Sequence, residues 1–143
     1  MVCEGGSACF TLTAEISEIS RLDQWFSGFG AEHRLSQELL EELRVCLHEV
    51  IGNVILHGGN LGVPHTISVT AWTDQANIAL SVEDNAMPFN PLALPIEPIA
   101  TSLEEAKVGG LGLHLVRSFT DRLDYDQPSG HNRLTLVRKL CRS

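Results

Sequence analysis

The sequence has no long apolar run. Nothing in it approaches the roughly 18–20 consecutive apolar residues that a membrane-spanning helix needs. The opening Met1-Val-Cys-Glu-Gly-Gly lacks the basic and apolar regions of a secretory leader. Positive charge is also short. Ten Lys and Arg stand against 18 Asp and Glu, for a formal charge of −8 and a pI of about 5.1. With no basic surplus to meet phosphates, direct binding to nucleic acid or to an anionic membrane is not expected. A single small anion site built from backbone amides stays open. The four cysteines, Cys3, Cys9, Cys46 and Cys141, form no C-x-x-C pair. They read as reduced cytosolic thiols, so the expected compartment is the cytoplasm. Several catalytic signatures are missing as well. His48-Glu49 begins like the zinc-protease H-E-x-x-H, but Gly52 stands where the second histidine belongs. There is no G-x-S-x-G elbow and no G-x-x-x-x-G-K-[ST] phosphate loop.

What is present is one domain's worth of chain. The 143 residues, 43% hydrophobic, suffice for a sizeable core, and no internal boundary divides residues 1–143. Cys9 to Ala14 alternates like a strand. Ser17 to Phe29, with Ile16 just ahead of it, carries Ile19, Leu22, Trp25, Phe26 and Phe29 at helical spacing, with an end expected near Gly28 or Gly30. Its aromatic face reads as core, with a partner surface as the alternative. Ser36 is placed to cap a second helix, with Glu38 in the acidic first turn, and Gly58-Gly59 stops it. Thr66 to Trp72 and Ile78 to Asp84 read as a hairpin. Residues 85–98 hold four prolines, and 100–107 suggest a short helical piece. A third helix opens at Gly109 and runs to about Thr120. Arg122 to Asp126 and Arg133 to Leu140 are the last strands. The order β-α-α-β-β-lid-α-β-β predicts an α+β two-layer α/β sandwich, a mixed β-sheet with helices on one face.

Four features carry chemistry. Glu49, Asn53 and His57 recur every four residues on the second helix, among Val50, Ile51, Val54 and Ile55. At 3.6 residues per turn they share one stripe. Read alone, that stripe is a wetted helix edge rather than a site. Asp84 shares the parity of Ile78, Leu80 and Val82, so its carboxylate faces the core side at a strand end. There it could accept a hydrogen bond from an exocyclic amine such as adenine's. Gly109, Gly110 and Gly112 precede a helix, where free amides and the helix dipole favour an anion. The proline-rich loop between these walls has the length of a lid. Asn53 could offer its amide oxygen to Mg²⁺, and Glu49 could take a proton from an attacking hydroxyl.

The set E-x-x-x-N-x-x-x-H, V-E-D-x-x-x-P-F-N-P and G-G-x-G-L-x-L-V resembles the histidine-kinase-like ATPases, with their Bergerat-type ATP-binding fold. The likeness spans residues 8–140, the expected core, and is nearest to the anti-sigma regulatory factors, a family of serine protein kinases. The resemblance implies ATP and Mg²⁺ as cofactors. It implies Asn53 as the Mg²⁺ ligand, Glu49 as general base and Asp84 as reader of the adenine amine. It further implies residues 92–108 as the ATP lid, and Gly109, Gly110 and Gly112 with Leu113 as the phosphate-contacting box. Proteins of this kind hold a sigma factor or similar regulator, phosphorylate a serine on a STAS-domain antagonist, and are commonly homodimers. Two positions depart from the pattern. Ala86 replaces the glycine of D-x-G, where alanine tolerates positive φ poorly and adds a methyl near the base. Leu111 replaces a frequent basic residue, leaving Lys107 as the nearest cation for phosphate. These departures support an alternative, a partner-binding module of the same fold with weak or no ATP binding. A third reading, a histidine-kinase catalytic domain, is disfavoured by the short lid and the lack of a phosphoacceptor hairpin.

Overall fold

Alternation of apolar side chains builds the sheet, and helical periodicity builds the layer that covers it. A computed structural model describes residues 2–3, 7–57, 66–86, 90, 92 and 110–140. In chain order the elements are β1 (Val2–Cys3), β2 (Ser7–Thr13), a 3-10 turn (Ile16–Glu18), α1 (Ile19–Glu32), α2 (Gln37–His57), β3 (Thr66–Thr73) and β4 (Asn77–Asp84). They continue with α3 (Gly110–Phe119), β5 (Arg122–Asp126), a second 3-10 turn (Pro128–Gly130) and β6 (Asn132–Lys139). The strands form one sheet in the order β1-β2-β3-β4-β6-β5.

Register places the apolar rows on one face. Leu12 lies opposite Ile67 and Val69 opposite Val82. Leu80 lies opposite Leu136, which pairs in turn with Leu123. These rows close onto Leu22 and Phe26 of α1, Leu43, Leu47 and Ile51 of α2, and Val116 of α3, all buried in one cluster. The two-layer α+β sandwich is therefore as the sequence predicts, with its helices on that face. One detail differs. The expected mixed sheet is antiparallel at every described pairing. β5 runs parallel to β4, but β6 turns back and fills the place between them, so no parallel pair forms.

The helices differ from expectation in smaller ways. Ser36 does cap α2, its Oγ accepting the Leu39 N–H at 3.2 Å. α1 runs past both glycines to Glu32. Gly30 is not a stop signal but a place of close approach, since a Cβ there would meet the Leu40 side chain at 2.4 Å. The chain turns away just beyond the helix end at Arg34, in left-handed conformation with φ 57°, while the Leu35 N–H reaches back to the Gly30 carbonyl at 2.9 Å. The aromatic face belongs to the core. Phe26 and Phe29 are buried, and Trp25 stacks on Phe10 at 5.5 Å.

Arg138 of β6 donates to Glu42 of α2 at 2.6 Å and to the Phe119 carbonyl that ends α3 at 2.9 Å. One guanidinium thus joins sheet, α2 and α3. The expectation of free thiols holds for Cys46, which is buried and free, with burial pushing its thiol up to about 12. It fails for Cys9, which is disulfide-bonded. No helix among the described residues is long and apolar enough to cross a membrane.

Candidate functional site

The site grows from three element ends. α2 packs against α3 and against β4, so its polar stripe lies among the elements that carry the aspartate and the glycines. Val50 and Ile51 turn inward and are buried, and Asn53 follows them into the interior at 6% exposure. Its Oδ1 is fully buried and has no hydrogen-bond partner among the described residues. An amide oxygen left so is costly, about 1–3 kcal/mol, unless something else meets it. Glu49, one turn earlier, is half-buried. The His57 backbone ends α2, and its side chain lies outside the described residues.

Asp84 closes β4 and is buried on the core side, as its parity predicts. Its Oδ1 accepts the Ala86 N–H at 2.9 Å and the Asn132 amide Nδ2 at 3.0 Å. Among the described residues nothing donates to Oδ2, which leaves that oxygen for a ligand's N–H. Asn85 turns the other way, its Oδ1 accepting the Thr66 N–H at 2.9 Å. The turn after β4 is thereby tied to the start of β3. Ala86 is buried, but the described non-glycine residues with positive φ are Arg34 and Ser129. The backbone strain expected at Ala86 is therefore absent, because the Asp84 carboxylate organises this turn without a left-handed residue. Only the added methyl distinguishes it from glycine.

Gly110 and Gly112 lie in the first turn of α3, and Leu113 behind them is buried at 9% exposure. Gly109, Lys107 and the lid apart from Leu92 lie outside the described residues, as does the expected helical piece at 100–107. So the structure gathers Asp84 and Ala86 into direct contact and sets Glu49 and Asn53 on a helix packed against α3.

Asn132 is the residue that sequence reasoning missed. It is buried at 6% exposure, pairs with Asp84 across β4 and β6, and bonds both Asp84 and the Ala86 carbonyl, the latter at 3.4 Å. The signal was available. Asn132 shares the parity of Leu134 and Leu136, a polar side chain at the head of an inward row.

The donor set fits a magnesium nucleotide. Mg²⁺ prefers oxygen ligands and commonly takes one or two from protein and the rest from phosphates and water, which is what a lone buried amide oxygen offers. Among the described residues no three His, Cys, Asp or Glu side chains come together as a metal cage. A helix N-terminus rich in glycine suits phosphate, and a carboxyl oxygen that accepts hydrogen bonds suits an amine.

Known proteins resemble this chain over most of its length. It is 32% identical over 113 residues to the serine/threonine-protein kinase BtrW of Bordetella bronchiseptica, covering 79% of this chain and 80% of that protein. It is 25% identical over 115 residues to an anti-sigma F factor of Clostridium perfringens, covering 80% and 82% respectively. The fold is like that of a solved structure of the RsbU and RsbW domains of Rv1364c from Mycobacterium tuberculosis, with a TM-score of 0.68 at 18% identity. That match covers 97% of this chain and about a third (34%) of the larger one. The model of the histidine kinase-like ATPase domain matches residues 12–138, and on that match the chain belongs to the histidine kinase-like ATPase domain family.

Proposed function

We propose that this chain is an ATP- and Mg²⁺-dependent protein serine kinase of a partner-switching module. In that role it sequesters a sigma factor or similar regulator and phosphorylates a serine of a STAS-domain antagonist. The observation that carries the reading is the buried amide oxygen of Asn53, without a partner among the described residues, on a helix packed against α3, whose first turn holds Gly110 and Gly112. Membership of an ATPase family supports it. So do two relatives, one a serine/threonine-protein kinase and one an anti-sigma factor.

Each residue has a role that its surroundings suit. Asp84 presents Oδ2 as an acceptor for the exocyclic amine of adenine, its other oxygen being held by Ala86 and Asn132. Asn53 Oδ1 serves as a metal ligand. The amides at the start of α3 would meet phosphate, and the resemblance assigns Lys107 and Gly109, which lie outside the described residues, to the same phosphates. Glu49, on the same stripe as Asn53 and in reach of solvent, would accept the proton of the partner's serine hydroxyl as that oxygen bonds to the γ-phosphorus and the bond to the departing ADP breaks. Mg·ATP supplies the γ-phosphoryl group and the neutralisation of its charge. The protein's contribution is positioning and electrostatics, as is general for phosphoryl transfer. The buried Cys46 thiol, its ionisation suppressed by desolvation, takes no part. A homodimer acting in the cytoplasm on transcription regulators is the setting this role implies.

The test is incubation with labelled ATP, Mg²⁺ and a STAS-domain antagonist protein. Label should appear on a serine of the partner, and Asn53→Ala should abolish it. A stable partner complex without label, and without any melting shift on adding ATP, would establish the non-catalytic binding module instead. Retained transfer by Asn53→Ala would remove that residue from the site.

A further inference from the structure

The Asn132 amide that grips Asp84 is itself held from behind. The Tyr125 hydroxyl of β5 donates to Asn132 Oδ1, and the Gln127 amide donates to the Tyr125 oxygen at 2.8 Å. Donors therefore point one way along the chain: Gln127 to Tyr125, Tyr125 to Asn132, Asn132 to Asp84. The direction is fixed by chemistry. A carboxylate and a carbonyl can only accept, so the Asn132 NH₂ must face Asp84 and the Ala86 oxygen, and its own oxygen must face Tyr125. The inner members are buried, at 6% exposure for both Asn132 and Asp84. In such a setting aligned hydrogen bonds polarise one another.

We propose that Tyr125 is a positioning residue for base recognition, acting through Asn132. The hydroxyl locks the Asn132 amide in the orientation that occupies Asp84 Oδ1. That leaves Oδ2, to which nothing among the described residues donates, as the acceptor for a ligand's amine. If the amide turned over, its oxygen would face the carboxylate, and Asp84 would lose a donor and its fixed rotamer. The consequence is selectivity for purines carrying a 6-amino group over those that lack it. This inference rests on the nucleotide-binding reading of the site. It places a specificity determinant on the edge strand β5, outside every segment that the sequence marks as part of the pocket.

The experiment is calorimetric titration of the full chain with Mg·ATP and with purine riboside triphosphate, which lacks the 6-amino group. The proteins compared are wild type, Tyr125→Phe and Asp84→Asn. Tyr125→Phe should weaken ATP binding about tenfold, the worth of roughly one good hydrogen bond, and leave the analogue's affinity within about twofold of wild type. In the nucleotide-free protein, the Asn132 side-chain amide signals in nitrogen-15 NMR should shift and broaden in Tyr125→Phe. Should Tyr125→Phe fold poorly, Asn132→Leu reads the same contact and should show the same split. Equal loss for both nucleotides in the variants would mean a merely structural role and overturn the proposal. Unchanged ATP affinity in a wild type that prefers ATP to the analogue would overturn it while sparing the site. A wild type that binds neither nucleotide would overturn the site reading and this inference together.

Discussion

Replacing Asn53 by alanine should make the nucleotide-free protein more stable while destroying its use of Mg·ATP. The Oδ1 atom of Asn53 is buried without a partner among the described residues, which costs about 1–3 kcal/mol of folding free energy. Alanine removes that cost and adds about 0.5 kcal/mol of helix propensity in the interior of α2. Against this stands a small void where the amide was, about 1 kcal/mol. The balance is stabilising, on the order of 1 kcal/mol, or about 3 °C in melting temperature for a domain of this size. The assay is thermal unfolding of both proteins without nucleotide, then with Mg·ATP. Wild type should start lower and rise with ligand, and the variant should start higher and gain less from it. A variant less stable than wild type by more than about 1 kcal/mol would refute the reasoning, because the amide would then be satisfied in the folded protein. Strained or unsatisfied groups kept at a site are a usual mark of function placed ahead of stability.

Four further outcomes follow from the fold. Arg138→Ala should cost about 2–4 kcal/mol, read as a lower urea midpoint at constant slope, because it strips Glu42 and the Phe119 carbonyl of a shared donor in a poorly solvated place. Gly30→Ala should destabilise by about 1–2 kcal/mol, the overlap with Leu40 outweighing the gain in helix propensity. Arg34→Gly should stabilise by about 0.5–1 kcal/mol, since glycine takes φ 57° without steric cost. Backbone N–H groups of Asn77 and Ala76 hold the Asp74 carboxyl below its usual value. The contribution of that carboxylate is therefore present above about pH 4, its unfolded range, and is lost as pH falls through the depressed value. Asp74→Asn should flatten that part of the stability profile in acid-titration unfolding.

Much of this was legible in the sequence, for identifiable reasons. Parity placed Asp84 on the inner face because its strand continues the row Ile78, Leu80, Val82, and antiparallel pairing kept that row intact. Periodicity placed Glu49 and Asn53 on one stripe because α2 is uninterrupted from Gln37 to His57. What failed was whatever depended on which strands become neighbours. Insertion of β6 between β4 and β5 is a tertiary choice, and it both removed the expected parallel pair and set Asn132 against Asp84. A glycine's meaning was equally undetermined. Gly30 looked like a helix stop, yet it is small because Leu40 lies where its side chain would be. The strain expected at Ala86 depended on a φ that no local pattern specifies, and the turn bonded to Asp84 does not need it. Cys9 was misread because a disulfide depends on a spatial neighbour, which spacing alone does not reveal.

The central claim is that Asn53 and Asp84 together form a magnesium-nucleotide site. It is tested most directly by titrating the wild-type chain with ATP in the presence of Mg²⁺ and again with the metal chelated, alongside Asn53→Ala. The account predicts tight binding that weakens markedly on chelation in wild type, and a weaker affinity in Asn53→Ala that chelation no longer changes. Binding of equal strength with and without Mg²⁺ in wild type, or full magnesium dependence retained in Asn53→Ala, would contradict it.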